Sequence, residues 1–280
     1  YHNSSSEAHV TVTDTLTIGS GGFFQNNSDG IYGSINLNSE MNIANIRNRG
    51  IFRMLGGQSV VGNFGNLFQE AGTFQQTANN TYHFTGAVRL NGGSLNTADS
   101  IVIGQRIGKF SIGDSLILSG GNLVNRALIT QKAGNFVVEK GNYSIETINK
   151  ENGTLSNAGT LSITNFNQSN GTTANSDNLS IGNSNLGGSL NNTGTLTLTG
   201  DVISRGNLTN NGNLNNRGNW TETNRFTIAG NLNNSGFANF QNGFQFGNGR
   251  LTSSGTIQTN NALDVFDSLG NSGRQDLHYV

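Results

Sequence analysis

The chain has 280 residues, a formal net charge of -1, only 11% charged and 33% hydrophobic residues, and neither Cys nor Pro. Its basic residues are scattered singly, so no stripe exists to neutralise phosphates or attract an anionic membrane surface, which argues against nucleic acid as a partner. Without Cys there are no disulfides or thiolate metal sites, and no apolar run approaches the ~18 residues of a transmembrane segment.

Residues 1–20 open polar and then alternate as Val10, Val12, Leu16 and Ile18 with Thr between, which predicts a first half-buried strand. The start, YHNSSSEAHV, lacks the basic and apolar regions of a signal peptide. The expectation is therefore that a leader has been removed or that the sequence is internal to a longer protein. The alternation continues through Ile31, Ile35 and Leu37 and through Met41, Ile43 and Ile46, with Asn and Gly at the breaks.

Residues 51–100 carry Phe52, Phe64, Phe68, Phe74, Tyr82 and Phe84. A stack of rings inside the fold is favoured there over an exposed aromatic binding surface. Residues 101–150 hold the strongest strand signals, Ile101-Val102-Ile103 and Leu116-Ile117-Leu118, with more charge, and predict wider or irregular coils.

From Gly153 a phrase, Leu-x-Asn-x-Gly, repeats: Leu155-Asn157-Gly159, Leu190-Asn192-Gly194, Leu208-Asn210-Gly212, Leu214-Asn216-Gly218 and Leu232-Asn234-Gly236, with a degenerate copy at Leu251-Ser253-Gly255. The glycines that open its units, Gly153, Gly188, Gly206, Gly230 and Gly249, mark steps of roughly 18 to 24 residues, the first step being double. Fixed-period short strands with Gly/Asn corners predict an all-β parallel β-helix, a solenoid with coils of roughly 18 to 24 residues, about 14 coils in all and a rod on the order of 65 Å. Gly is expected at corners for positive φ, and Asn for its tolerance of the left-handed region. Asn157, Asn192, Asn210 and Asn234 are expected to form a structural ladder, hydrogen-bonded from coil to coil. One continuous solenoid is read in three parts: irregular coils over 1–152, regular coils over 153–260, and a terminal coil, cap or tail over 261–280.

Residues that could carry chemistry do not gather. The acids do not recur at coil spacing, so no paired carboxylates for glycosidic cleavage are predicted, and Asp201 with Arg205 reads as a solvated loop pair. His2, His9, His83 and His278 are far apart and predict no metal site. No cofactor is expected. Trp220 stands where Leu stands in sibling phrases and is read as core rather than as a sugar-stacking platform.

The phrases GSLNNTGTLTLTG, GNLTNNGNLNNRG and GNLNNSG resemble the repeat regions of filamentous-haemagglutinin-like exoproteins, the adhesins and contact-dependent inhibition proteins that Gram-negative bacteria export by two-partner secretion. The resemblance covers about 150–260 well and the first half only in rhythm. It implies a right-handed parallel β-helix, secreted and displayed at the cell surface, that is not an enzyme. As partners it implies a host or neighbouring-cell surface, glycans among its ligands, and an outer-membrane transporter during export. The expected function is the shaft of a surface adhesin, with two alternatives on the same scaffold: a polysaccharide lyase or hydrolase, and an inert spacer presenting a terminal toxin. It carries over no functional residues.

Overall fold

The structure, a computed structural model, describes residues 9–20, 23–27, 40–55, 61–76, 80–125, 128–224, 226–242, 244–246, 250–259, 263–265, 268–271 and 275–277. The strand expected at 31–37 lies outside them, as do His2 and His278. Every described regular element is a β-strand, and the recorded strand pairings are parallel. The fold is the expected parallel β-solenoid, though with about 11 turns rather than the expected 14, and it divides into two compact units, Tyr1–Gly141 and Asn142–Val280.

In the second unit each coil has three sides. The first side runs through 142–145, 160–163 and 178–181, then Thr195–Leu198, Asn213–Asn216, Asn231–Asn234 and Arg250–Ser253. The second runs through 147–150, 165–168 and 183–186, then Asp201–Ser204, Asn219–Glu222, Phe237–Phe240 and Thr256–Thr259. The third runs through Thr154–Asn157, Thr172–Asn175, Ser189–Asn192, Asn207–Asn210 and Phe226–Ile228. Strictly alternating burial along each four-residue side explains why so few apolar residues suffice: two point inward, and the neighbouring coils close the core above and below. Equivalent residues on the regular coils are mostly 18 apart, with 17 from Asn175 to Asn192 and 19 from Asn234 to Ser253. The six-residue phrase is thus one side with its corner, and the 24-residue step from Gly206 to Gly230 is one coil plus one side.

The corner glycines of the phrase do not serve positive φ. Among described residues no non-glycine has positive φ, and the positive-φ glycines end at Gly171. Their reason is proximity. A Cβ on Gly194, Gly212 or Gly230 would fall 2.0–2.2 Å from the carbonyl oxygen of the corner residue one coil earlier. Asn likewise earns its place by hydrogen bonding inside the coil rather than by left-handed backbone.

The first unit winds more loosely, with 21 residues between equivalent Asn side chains in its early coils. One wall is a five-stranded sheet of Phe23–Asn27, Ile51–Leu55, Thr73–Gln75, Ser94–Thr97 and Asn122–Asn125. Most of the expected rings fill this unit's interior: Phe52 and Phe74 stack at 4.5 Å, and Phe64, Tyr82, Phe84 and Phe110 pack around them, whereas Phe68 falls on the outward beat of its strand, between buried Leu67 and Gln69, and stays half-buried. The irregularity expected after 101 is an inserted strand. Ile101–Ile103 pairs with Phe110–Ile112 on one edge and Ile129–Gln131 on the other, while Phe110–Ile112 reaches back to Thr81–Phe84. The chain steps forward one level and then returns, so this wall holds one more rung than the wall beside it.

Candidate functional site

The four predicted ladder residues are all buried, but they fall on two different walls. On the third side Asn157 Nδ2 donates to Asn175 Oδ1 at 2.7 Å, Asn175 to Asn192 at 2.7 Å, and Asn192 to Asn210 at 2.6 Å. Below Asn210 the register partner is Ile228, and the column stops. Asn234 belongs to the first side, where Asn216 Nδ2 donates to it at 2.8 Å and it donates in turn to Ser253 Oγ at 3.2 Å. The amide column therefore changes walls where the Asn of the phrase passes from one side to the next. Each amide also caps its own corner and the next coil: Asn192 Nδ2 lies 3.1 Å from both Gly194 O and Asn213 O.

Asn210→Ala would remove the hydrogen bonds to Gly212 O and Asn231 O and take from Asn192 one of its three acceptors. It is expected to lower stability by about 1–3 kcal/mol. The midpoint of chemical unfolding checks this.

Residues of the second side build an open groove of about 480 Å³. Its floor is two rows of amides, Asn149, Asn167 and Asn185 in one, Asn165 and Asn183 in the other. Asn167 donates to Asn149 Oδ1 at 3.1 Å, and Asn183 to Asn165 Oδ1 at 3.5 Å. On this outer surface the lower coil donates to the upper one, opposite to the inner ladders. Thr147, Ser184, Asp201 and Ile203 complete the lining.

The groove sits where the coil is re-spaced. In 142–150, 160–168 and 178–186 a single residue (Glu146, Thr164 or Gly182) joins the first side to the second within one nine-residue strand. From Thr195 onward that corner is two residues, Thr199 and Gly200, while the corner from the second side to the third has already shortened from 169–171 to Gly187 and Gly188.

Asp201 and Arg205 do not pair with each other. Asp201 Oδ1 accepts from Asn219 Nδ2 at 2.8 Å, and Arg205 Nη1 donates to Asn185 Oδ1 at 3.0 Å. Asp201 is the one carboxylate in the lining.

Two interior charges escaped sequence reasoning. Lys150 and Glu222 point inward on the second side and are essentially inaccessible. Lys150 Nζ donates to Asn170 O at 2.9 Å, and burial pulls its pKa down to about 8. Burial pushes Glu222 up to about 7, against the opposing hydrogen bonds from Ser204 and the Asn224 amide. Their signal was position: Glu222 falls two residues after Trp220, on the inward beat of the phrase. Trp220 itself is fully buried, packed edge-on against Phe226 and Phe240.

Sequence reasoning also missed His83 Nδ1 meeting Ser111 Oγ at 2.6 Å across the first unit. Burial and the nearby Arg106 lower the His83 pKa, in that order, which favours the neutral ring. Ser111 is only 1% exposed, so its hydroxyl is closed to a substrate and the pair acts as a rung between strands. Among the described residues no group of three or more His, Asp or Glu is placed to hold a metal ion.

Comparison with known protein families, with curated proteins and with solved structures finds no match. The site is therefore read from its own chemistry. It offers neutral amides in register, a single carboxylate already engaged, and no aromatic platform in the lining.

Proposed function

We propose that this chain is a shaft segment of a secreted bacterial surface adhesin, binding through repeated weak contacts and without catalysis. The observation that carries the reading is the outer surface of the second unit. Asn231 on Asn213, Asn233 on Asn215, and Asn167 on Asn149 form hydrogen-bonded neutral rows, a surface that stays soluble with little charge while presenting the same groups coil after coil. Such repetition suits multivalent attachment, in which modest individual contacts add up.

The solenoid also suits export. Each coil needs only its predecessor as a template, and a chain with neither Cys nor Pro has no disulfide to unmake and no prolyl isomerisation to wait for. The reading agrees with the likeness of its phrases to filamentous-haemagglutinin-like exoproteins. Hydrolysis of a glycosidic bond would ask the groove for a second carboxylate beside Asp201.

The test is display. Antibodies to the regular coils are expected to label intact cells of the source bacterium, and external protease is expected to remove the signal. Labelling that appears only after permeabilisation would overturn the proposal.

A further inference from the structure

The outer amide row has a gap, and the gap lies inside the groove. Asn167 and Asn185 are register partners on neighbouring strands, yet they are not bonded to each other. Asn167 spends its Nδ2 on Asn149 and keeps a free Oδ1. Asn185 accepts from Arg205 through Oδ1 and keeps a free Nδ2. Both amides stand on the outward beat of the strand, while Ser184 between Asn183 and Asn185 turns inward, in register with Phe166 and Val202. An acceptor and a donor are thus left open on neighbouring strands within one rung.

We infer that this rung is a subsite for a hydroxyl group of an uncharged glycan lying along the second side of the solenoid. A hydroxyl donates one hydrogen bond and accepts others at the same oxygen, so it can give to Asn167 Oδ1 and take from Asn185 Nδ2. The span agrees. Two hydrogen bonds of about 2.8 Å meeting near the tetrahedral angle bridge about 4.6 Å, close to the ~4.8 Å between neighbouring strands.

The charge around the rung selects a neutral ligand. Arg205 is engaged with Asn185 and Asp201 with Asn219, so a carboxylated or sulfated chain finds no free cation in the lining and meets one carboxylate. With no ring to stack on, each subsite is weak, and useful affinity comes from several sugar units along the amide rows.

The inference rests on the adhesin reading for its biological sense, but its test is independent of cell-surface display. The full chain, with isotopically labelled Asn side-chain amides, is titrated by NMR with cellohexaose and, separately, with a galacturonate hexamer. Saturable shifts of the Asn167 and Asn185 amides in the millimolar range are expected with cellohexaose, and at least tenfold weaker binding with the galacturonate.

Asn185→Asp, which keeps the shape but replaces the donor by a charge, is expected to weaken cellohexaose at least tenfold. Asn167→Ala, which removes the acceptor of the rung, supplies a second variant should the first unfold, with an expected loss of threefold or more. Thr221→Ala, on the same side outside the groove, should bind as the parent does. No shift at either Asn, stronger binding of the galacturonate, or unchanged binding by folded variants would overturn the inference and leave the display result untouched.

Discussion

Replacing Glu222 by Gln is expected to stabilise the Asn142–Val280 unit by about 3 kcal/mol at pH 8 and to change it little below pH 4.5. The carboxyl is raised from 4.5 to about 7 because its burial among Trp220, Phe240 and the coils above and below disfavours charge. An unfolded chain gives up that proton near 4.5, so the native state binds more protons than the unfolded state between 4.5 and 7. Stability therefore falls as pH rises through that window, by about 1.4 kcal/mol per unit of displacement, and levels off above it.

Lys150 acts in the opposite window. Its folded pKa of about 8 lies below the ordinary 10.5, so its contribution rises between pH 8 and 10.5 as the ammonium loses its proton. From these two groups the unit is least stable near pH 7–8, where both carry charge inside the coil. Urea unfolding at pH 4.5, 7.5 and 10 is expected to trace this minimum in the parent. With Glu222→Gln the acid-side slope is expected to vanish, and an unchanged slope would show that the buried carboxyl is not its source.

Gly212→Ala is expected to cost about 3 kcal/mol, a large effect for one methyl group. The added Cβ would stand 2.1 Å from Gly194 O and 2.5 Å from Thr193 O, and both atoms are backbone of the preceding coil that no rotamer change can move. Separating the coils there stretches the bond from Asn213 N to Gly194 O, now 2.8 Å, and overpacking of this kind commonly costs 1–3 kcal/mol. Gly19→Ala is the control: nothing lies within 4 Å of its Cβ position, and a change within about 0.5 kcal/mol is expected. The comparison is read from the denaturant midpoint at constant m-value.

The strand content was legible because alternation survives even where the phrase fades, as at Ile43, Ile46, Phe64 and Leu67, all of which face inward. The ladder was legible as a set of residues but not as two columns. The three walls share one six-residue phrase, so nothing local tells Asn210 from Asn216, and only the pairing register assigns them to different sides. Positive φ explains corner glycines such as Gly153 and Gly171, but not those of the later phrases such as Gly194 and Gly212. Closeness between coils is a property of stacked corners, which a linear reading sees only as a turn residue. The groove was hidden because its amides lie outside the phrase, although Asn165-x-Asn167 and Asn183-x-Asn185 recur at the coil spacing and could have been found. The inserted strand at Ile101–Ile103 had no sequence signature beyond a run of apolar residues, since stepping back a level depends on which edge is free.

The opposite directions of the inner and outer amide rows bear on the unit's dipole. An inward Asn must aim Nδ2 at the carbonyls of its own corner and of the next coil, as Asn192 does at Gly194 O and Asn213 O, which fixes the inner amide dipoles along the chain's advance. Outside, Asn167, Asn231 and Asn233 donate the other way. In an α-helix, aligned peptide dipoles add up to about half a charge at each end. Here the inner and outer side-chain bonds point in opposite directions, so their dipoles subtract wherever a coil carries both. Lengthening the stack by such coils builds up less potential at its end than an inner ladder alone would.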